Sequence, residues 1–335
     1  MTGCILLTVI GLLPIIFSDH WMYPIIGRAM IGIGSSAAIL ATFKIIRMNF
    51  NAQHFSRMLG FSVTIGLAGA IYGGEPVSYL CNVWDYKTVV VMFVAAGILL
   101  ACITWLIVPD VQPERQTSII SNIKTVFTHG KVIMLCCFAG LMLGPLEGFS
   151  DVWGPEFLKQ VYGFEAKTAH YLPSMIFIGM CFGAPILSLV AEKSGQYLGV
   201  IIAAGAIMLL TFTALVAGVL TVSSMTITFI MVGICCAYQI LAIYKASTYV
   251  PDNLVGLTTA VANMIIMSFG YAFHTAIGFI INVCGGTHVA RAFVYGIGII
   301  PVTLGIGITG FLFLAYREKC VQTWEKGARL TLYPE

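Results

Sequence analysis

The sequence predicts an all-α, polytopic membrane protein, and three observations predict it. First, 59% of the 335 residues are hydrophobic and only 9% are charged, against roughly 25% charged in soluble domains. Mean hydropathy is +0.95. The 17 Lys and Arg and 14 Asp and Glu cannot cover the surface of a soluble chain of this size, which excludes soluble, disordered and collagen-like classes. Second, the apolar residues fall in runs long enough to cross a bilayer as helices, which takes about 20 residues. Barrel strands would be about 10 residues with alternating polarity. Third, the charges gather between those runs and not at helical spacing within them.

Ten apolar segments can be marked: 1–18, 23–46, 58–81, 88–108, 132–149, 168–191, 198–220, 224–244, 255–284 and 292–316. The first is read as a membrane helix and not a signal peptide, because it lacks a basic n-region and a small-residue cleavage site. The longest polar stretch, 109–131, divides four helices from six. This gives an incomplete N-terminal bundle over 1–108, an inter-bundle loop over 109–131, a six-helix bundle over 132–316 and a tail over 317–335.

Lys and Arg set the orientation. With the 109–131 loop in the cytoplasm, that side holds Lys44, Arg47, Arg57, Arg115, Lys124, Lys131, Lys193, Lys245, Arg317, Lys319, Lys326 and Arg329. The outer side holds Lys87, Lys159, Lys167 and Arg291. This bias obeys the positive-inside rule and puts both Met1 and the C-terminal tail in the cytoplasm. No N-x-S/T sequon occurs, which favours a bacterial inner membrane. The ten cysteines sit mostly within apolar runs, as Cys136, Cys137, Cys181, Cys235 and Cys236 do; they read as small packing residues. Neither a metal site nor a cofactor motif is present, and no basic tract suits nucleic acid.

The chain repeats itself. MIGIGSSAAILATFK at 30–44 and MVGICCAYQILAIYK at 231–245 share Met30/Met231, Gly32/Gly233, Ile33/Ile234, Ile39/Ile240, Leu40/Leu241, Ala41/Ala242 and Lys44/Lys245. Parallel repeats of this kind mark one class of transporter folds. The offset maps Met1 near residue 201 and leaves two second-half helices, 132–149 and 168–191, without first-half counterparts. The expectation is a six-plus-six unit from which the first two helices are missing, and hence about ten helices here.

Several motifs carry a family resemblance. Gly27-Arg28-Ala29-Met30-Ile31-Gly32-Ile33-Gly34 resembles the R-x-x-x-G-x-G signature on the fourth helix of the major facilitator superfamily. Gly60, Gly69 and Gly73 have the spacing of that superfamily's fifth-helix glycine motif, although Gly73-Gly74-Glu75-Pro76 departs from its usual continuation. Trp84-Asp85-Tyr86-Lys87 sits where many members have Gly-Trp-Arg. Gly183 to Gly195, ending Glu192-Lys193-Ser194-Gly195, resembles a degraded second-half copy of the loop between helices two and three. Trp153-Gly154-Pro155-Glu156-Phe157-Leu158, followed by Tyr162-Gly163, resembles the outer end of the seventh helix in several organic-solute branches. The resemblance implies a two-bundle fold, twelve helices in the family at large, and a monomeric secondary transporter. Such a protein moves a small organic solute across the bilayer by alternating access, with protons as the expected coupling ion.

Charges inside membrane helices are costly, at least about 2.5 kcal/mol each at the bilayer centre, so they are the candidate site residues. Arg28 lies about 7–8 Å below the outer end of its helix and either snorkels to the interface or pairs with Glu75, which lies at similar depth on the next helix. An Arg28–Glu75 ion pair facing the central cavity is expected, either a switch linking protonation of Glu75 to bundle movement or a static pair that only fixes helix packing. Glu147 and Asp151, spaced i, i+4, either cap a solvated helix end or face a cavity. His274 is either a packing histidine or a proton relay. Gln239 and Asn263 can bond either a solute or a neighbouring helix. Gly32, Gly34, Gly60, Gly69 and Gly73 are expected to permit close helix approach. Two other functions compete. A degenerate, non-transporting fragment fits the missing helices. A membrane enzyme would need a clustered catalytic set in a loop, and these loops are short.

Overall fold

The computed structural model describes residues 1–17, 20–50, 57–58, 61–62, 64–66, 68–69, 72, 75–108 and 119–332. Every regular element among them is helical. The chain divides into two contact units: Met1–Phe55 with Ile65–Ile119, and Ser56–Thr64 with Ile120–Glu335. Two boundaries differ from those read in the sequence. The short segment Ser56–Thr64 groups with the second unit, tied by an Arg57–Glu192 ion pair at 3.2 Å and by the Thr64 hydroxyl donating to the Cys181 carbonyl at 2.8 Å. The division also falls after Ile119, within the polar stretch, where helix α5 begins.

The first unit holds α1 (Thr2–Phe17), α2 (Met22–Asn49), α3 (Glu75–Trp84) and α4 (Tyr86–Ile107). α1 packs on both α2 and α4. Its seam with α2 brings backbone close to backbone, with the Thr8 hydroxyl set against Gly34. A Cβ on Gly27 would lie 2.5 Å from the Gly11 carbonyl oxygen, and one on Gly34 would lie 2.5 Å from the Cys4 carbonyl oxygen. Only glycine permits such an approach. Gly32 differs from the expectation for it: among the described residues no atom lies within 4 Å of where its Cβ would be. Gly69 is likewise open. Gly60 and Gly73 lie outside the described residues.

The second unit holds α5 (Ile119–Thr128), α6 (Gly130–Gly148), a π-helical turn (Phe149–Trp153), α7 (Gly154–Tyr162), α8 (Ala166–Ser194), α9 (Tyr197–Val216), α10 (Val222–Cys236), α11 (Tyr238–Ser247), α12 (Val255–Val283) and α13 (Ala290–Leu332). Long helices form because the runs are apolar around their whole circumference, and polar groups appear at their ends. Thr221 and Ser224 make a reciprocal capping box at the start of α10. Gly163, at φ 70°, ends α7 in the left-handed region. The core is apolar: Phe149, on the π turn, meets Phe157, Phe212 and Phe229 edge-on at 6.2, 5.2 and 5.7 Å between ring centroids.

Among the described residues seven helical stretches are long and apolar enough to cross a membrane. Six lie in the second unit: Gly130–Tyr162, Ala166–Ser194, Tyr197–Val216, Val222–Ser247, Asp252–Val283 and Ala290–Cys320. The seventh is Tyr86–Ile107. Thr2–Phe17 is shorter, α2 runs 28 residues, and a third of segment 58–81 lies outside the described residues. Large apolar side chains such as Leu210, Tyr271 and Phe279 stand exposed, as a lipid-facing surface requires.

Three segment boundaries are corrected. The segment marked 132–149 continues to Tyr162, because the π turn absorbs an extra residue without ending the helical path. The segment marked 224–244 is broken at Ala237, whose N–H bonds the carbonyls of Ile234 and Cys235 in a tightened turn. The final helix does not stop at residue 316 but runs to Leu332, through most of the stretch taken as tail.

Candidate functional site

α6 and α12 pack along a close helix–helix seam in the second unit. Gly140, Gly144 and Gly148 form its α6 edge. A Cβ on Gly144 would lie 2.6 Å from the backbone carbon of Phe269, and one on Gly140 would collide with the Phe269 ring. This G-x-x-x-G-x-x-x-G run was present in the sequence, yet the sequence reading above did not single it out. The helix surfaces interlock in the other direction too. Gly270 and Gly278 on α12 are the seats for side chains from the α6–π run. A Cβ on Gly270 would collide with Glu147 Oε2, and one on Gly278 would lie 2.7 Å from the Trp153 ring.

These seats concentrate the polar groups. Glu147 is half-buried. Among the described residues no hydrogen bond or ion pair reaches its carboxylate; only its backbone carbonyl accepts, from the Ser150 hydroxyl at 3.3 Å. Asp151, inside the π turn, accepts from the Ser150 hydroxyl at 3.4 Å and lies 3.9 Å from His274 Nε2. The Trp153 indole N–H donates to the His274 carbonyl at 3.0 Å and pins α12 against the turn. The structure therefore brings Glu147, Asp151 and His274 together. Neither carboxylate caps a helix end, since the helical path continues for eleven residues or more through α7. Among the described residues no group of three or more His, Cys, Asp or Glu is arranged to hold a metal ion.

Gln239 and Asn263 also meet. The Gln239 amide donates to the Asn263 side-chain oxygen at 3.4 Å across α11 and α12. Gln239 is positioned by its neighbour Tyr238, fully buried, whose hydroxyl donates to the Ala139 carbonyl on α6 at 2.6 Å. On α12, Asn263, Gly270 and His274 share one face: seven residues bring a helix back nearly to the same azimuth, and four more move it by about 40°. A polar column thus runs about 16 Å along α12, from the Gln239–Asn263 pair past Glu147 to Asp151 and His274. It offers carboxylates and an imidazole that can take up and release protons, and amides that can bond a solute.

The remaining candidates, Arg28 and Glu75, belong to the first unit. Arg28 is exposed on α2. Glu75 begins α3, but its side chain lies outside the described residues, as therefore does the expected Arg28–Glu75 pair.

Comparison with known proteins places this architecture. Residues 1–275 match the family model of the Major Facilitator Superfamily. No curated protein matches the chain in sequence. Among solved structures, the chain is similar to a bacterial homologue of the iron transporter ferroportin in an outward-facing state, with a TM-score of 0.65 at 13% identity, covering 94% of this chain and 80% of that one. It is similar to the fucose:proton symporter of E. coli, with a TM-score of 0.62 at 12% identity over 91% of this chain and 82% of that one. A bacterial homologue of the human lysosomal transporter Spinster, inward-facing and unoccupied, gives a TM-score of 0.58 at 17% identity over 94% and 82%.

Proposed function

Because the chain belongs to the major facilitator superfamily and is a multi-pass membrane transporter, not an enzyme, we propose that it carries a small organic solute by alternating access, coupled to protons through Glu147. The observation that supports this reading most is the half-buried Glu147 carboxylate, seated over the bare backbone of Gly270 with no partner among the described residues. A carboxylate held so between two packed helices has a protonation state that depends on whether water reaches it. It can therefore load a proton on one side of the membrane and release it on the other.

Asp151 and His274 are assigned the delivery of protons to and from Glu147. Gln239 and Asn263 are assigned to the solute, which on binding takes over hydrogen bonds the two amides make to each other. The protein is proposed to work as a monomer in a bacterial inner membrane, with the tail and the 109–131 stretch in the cytoplasm. Cysteine labelling tests that orientation: a reagent applied outside is expected to reach a cysteine at position 159 and not one at 124. One structural neighbour is a fucose:proton symporter by name, which makes neutral sugars one class to try.

The test is uptake into proteoliposomes from a panel of labelled sugars, amino acids, dipeptides and organic cations. An imposed inward proton gradient is expected to drive at least one of them above equilibrium. Uptake of a solute that only equilibrates, at a rate indifferent to the gradient, contradicts the coupling. Absence of uptake across the panel, with folded protein in the vesicles, contradicts transport of these solute classes.

A further inference from the structure

A second polar cluster lies far along α6 from Glu147, where the helix begins. A cavity of about 490 Å3 opens there, lined by His129, Lys131, Met134, Tyr249, Leu314 and Arg317. It sits at the ends of two candidate membrane spans, which start at Gly130 and finish at Cys320. This is the level of lipid headgroups. With Lys and Arg placed as the positive-inside rule requires, it faces the cytoplasmic leaflet.

The charges around the cavity do not balance. Glu318 is fully engaged: the Tyr249 hydroxyl donates to Oε1 at 2.5 Å, and Lys245 Nζ lies 3.1 Å from Oε2. That leaves Lys131 and Arg317. Among the described residues neither has an ion-pair partner. Each only lies over a ring, Lys131 at 5.9 Å from the Tyr249 centroid and Arg317 at 5.7 Å from that of Phe313. His129 caps α6, its Nδ1 accepting from the Val132 N–H at 3.4 Å; the imidazole proton is therefore on Nε2, available as a donor. The cavity also opens on the N-terminus of a 19-residue helix, whose dipole favours an anion. The floor, by contrast, is apolar: Met134 and Leu314, on α6 and α13, lead from the basic rim toward the bilayer interior.

We propose that this cavity binds the headgroup of an anionic phospholipid, with the phosphate between Lys131 and Arg317 and the first acyl segments against Met134 and Leu314. An apolar floor offers nothing to a free phosphate but matches an amphiphile. Basic pockets between helices on the cytoplasmic side hold anionic headgroups by this combination of charge and burial.

The test uses the purified full-length chain in detergent and follows its melting temperature as phosphatidylglycerol, phosphatidylcholine or inorganic phosphate is added. Phosphatidylglycerol is expected to raise the melting temperature saturably, and the other two are not. The double variant Lys131→Gln, Arg317→Gln is expected to melt like the parent without lipid and to need roughly 30-fold more phosphatidylglycerol for half the shift, two surface cations being removed. A control, Lys124→Gln with Lys193→Gln, removes two exposed cations outside the cavity and is expected to change little. Equal shifts from both lipids overturn the proposal, as does an unchanged phosphatidylglycerol response in the double variant. A control variant that loses as much as the double variant assigns the effect to diffuse surface charge and overturns it as well. A shift from inorganic phosphate as large as that from phosphatidylglycerol replaces the lipid by a soluble anion.

Discussion

Two helix pairs in this protein use the same packing device for different ends. In the first unit, α1 and α2 approach through Gly11, Gly27 and Gly34, where carbonyls of the facing helix, the Thr8 hydroxyl and an Ile31 side-chain carbon take up the space a Cβ would need. In the second unit, α6 and α12 approach through Gly140, Gly144 and Gly148, but Gly270 and Gly278 also leave room for a carboxylate and an indole. Lipid supplies no hydrophobic drive for helices to associate, so both seams rely on close packing. The difference is that the second seam seats a carboxylate and an indole against its glycines, whereas the one hydroxyl in the first seam is bonded to its own helix. A glycine facing backbone sets how near two helices come. A glycine facing a polar side chain sets where that side chain stands, and so what the seam can do.

The comparison breaks most readily where a large side chain is forced between the two helices. Gly144→Leu drives a side chain into the Phe269 backbone and is expected to cost about 3 kcal/mol or more, seen as loss of monodisperse protein on size exclusion. Gly27→Ala, facing the Gly11 carbonyl, is expected to cost about 1–3 kcal/mol, read as a lower melting temperature. Gly32→Ala, with no atom in reach among the described residues, should leave stability unchanged or raise it by up to about 1 kcal/mol through helix propensity. Equal effects at Gly27 and Gly32 would refute the backbone seam.

Gly270→Ala sharpens the contrast. Its Cβ meets only the far end of the Glu147 side chain, which can swing aside, so the variant is expected to fold as the parent does while accumulating solute less steeply for a given proton gradient. Asn263→Ala removes one amide of the Gln239–Asn263 pair and is expected to raise KM roughly five-fold, about 1 kcal/mol, with kcat little changed. A modest loss is expected at Tyr249→Phe, which deletes the hydroxyl bonded to Glu318 and should lower stability by about 1 kcal/mol. Burial and the neighbouring Glu318 carboxylate hold the Tyr249 hydroxyl above the ordinary tyrosine range. The folded state therefore keeps that proton longer than the unfolded chain does. Stability from this residue is complete below about pH 10 and falls as the pH rises beyond it. Alkaline melting curves of the parent and the variant should converge.

Much of this was legible in the sequence, for reasons that differ by residue. The helical membrane class follows from apolar run length, which is a local property. Glu147, Asp151 and His274 stand out because a titratable group in an apolar run is costly, again a local argument. Which of these groups meet is not local. The pairing of Glu147 with Gly270, or Asp151 with His274, depends on the register of α6 against α12, and that register is fixed by glycines on both helices acting together. The π turn at Phe149–Trp153 has no signature of its own in the sequence. It is held by the Phe149 ring in an aromatic core assembled from α7, α9 and α10. The break at Ala237 was hidden for a similar reason, since it accompanies the Tyr238 hydroxyl reaching a carbonyl on α6. At Gly32, spacing alone could not tell a glycine that meets a helix from one that faces open space.

The central claim is that Glu147 couples proton movement to solute movement, and Glu147→Gln in proteoliposomes tests it most directly. Two rates are compared for a solute the parent accumulates: uptake against a concentration gradient under an inward proton gradient, and exchange of labelled for unlabelled solute with no gradient. The variant is expected to keep exchange within about three-fold of the parent, because the amide fills the same seat, and to lose accumulation. A variant that still accumulates solute with the parent's dependence on the proton gradient would contradict the assignment.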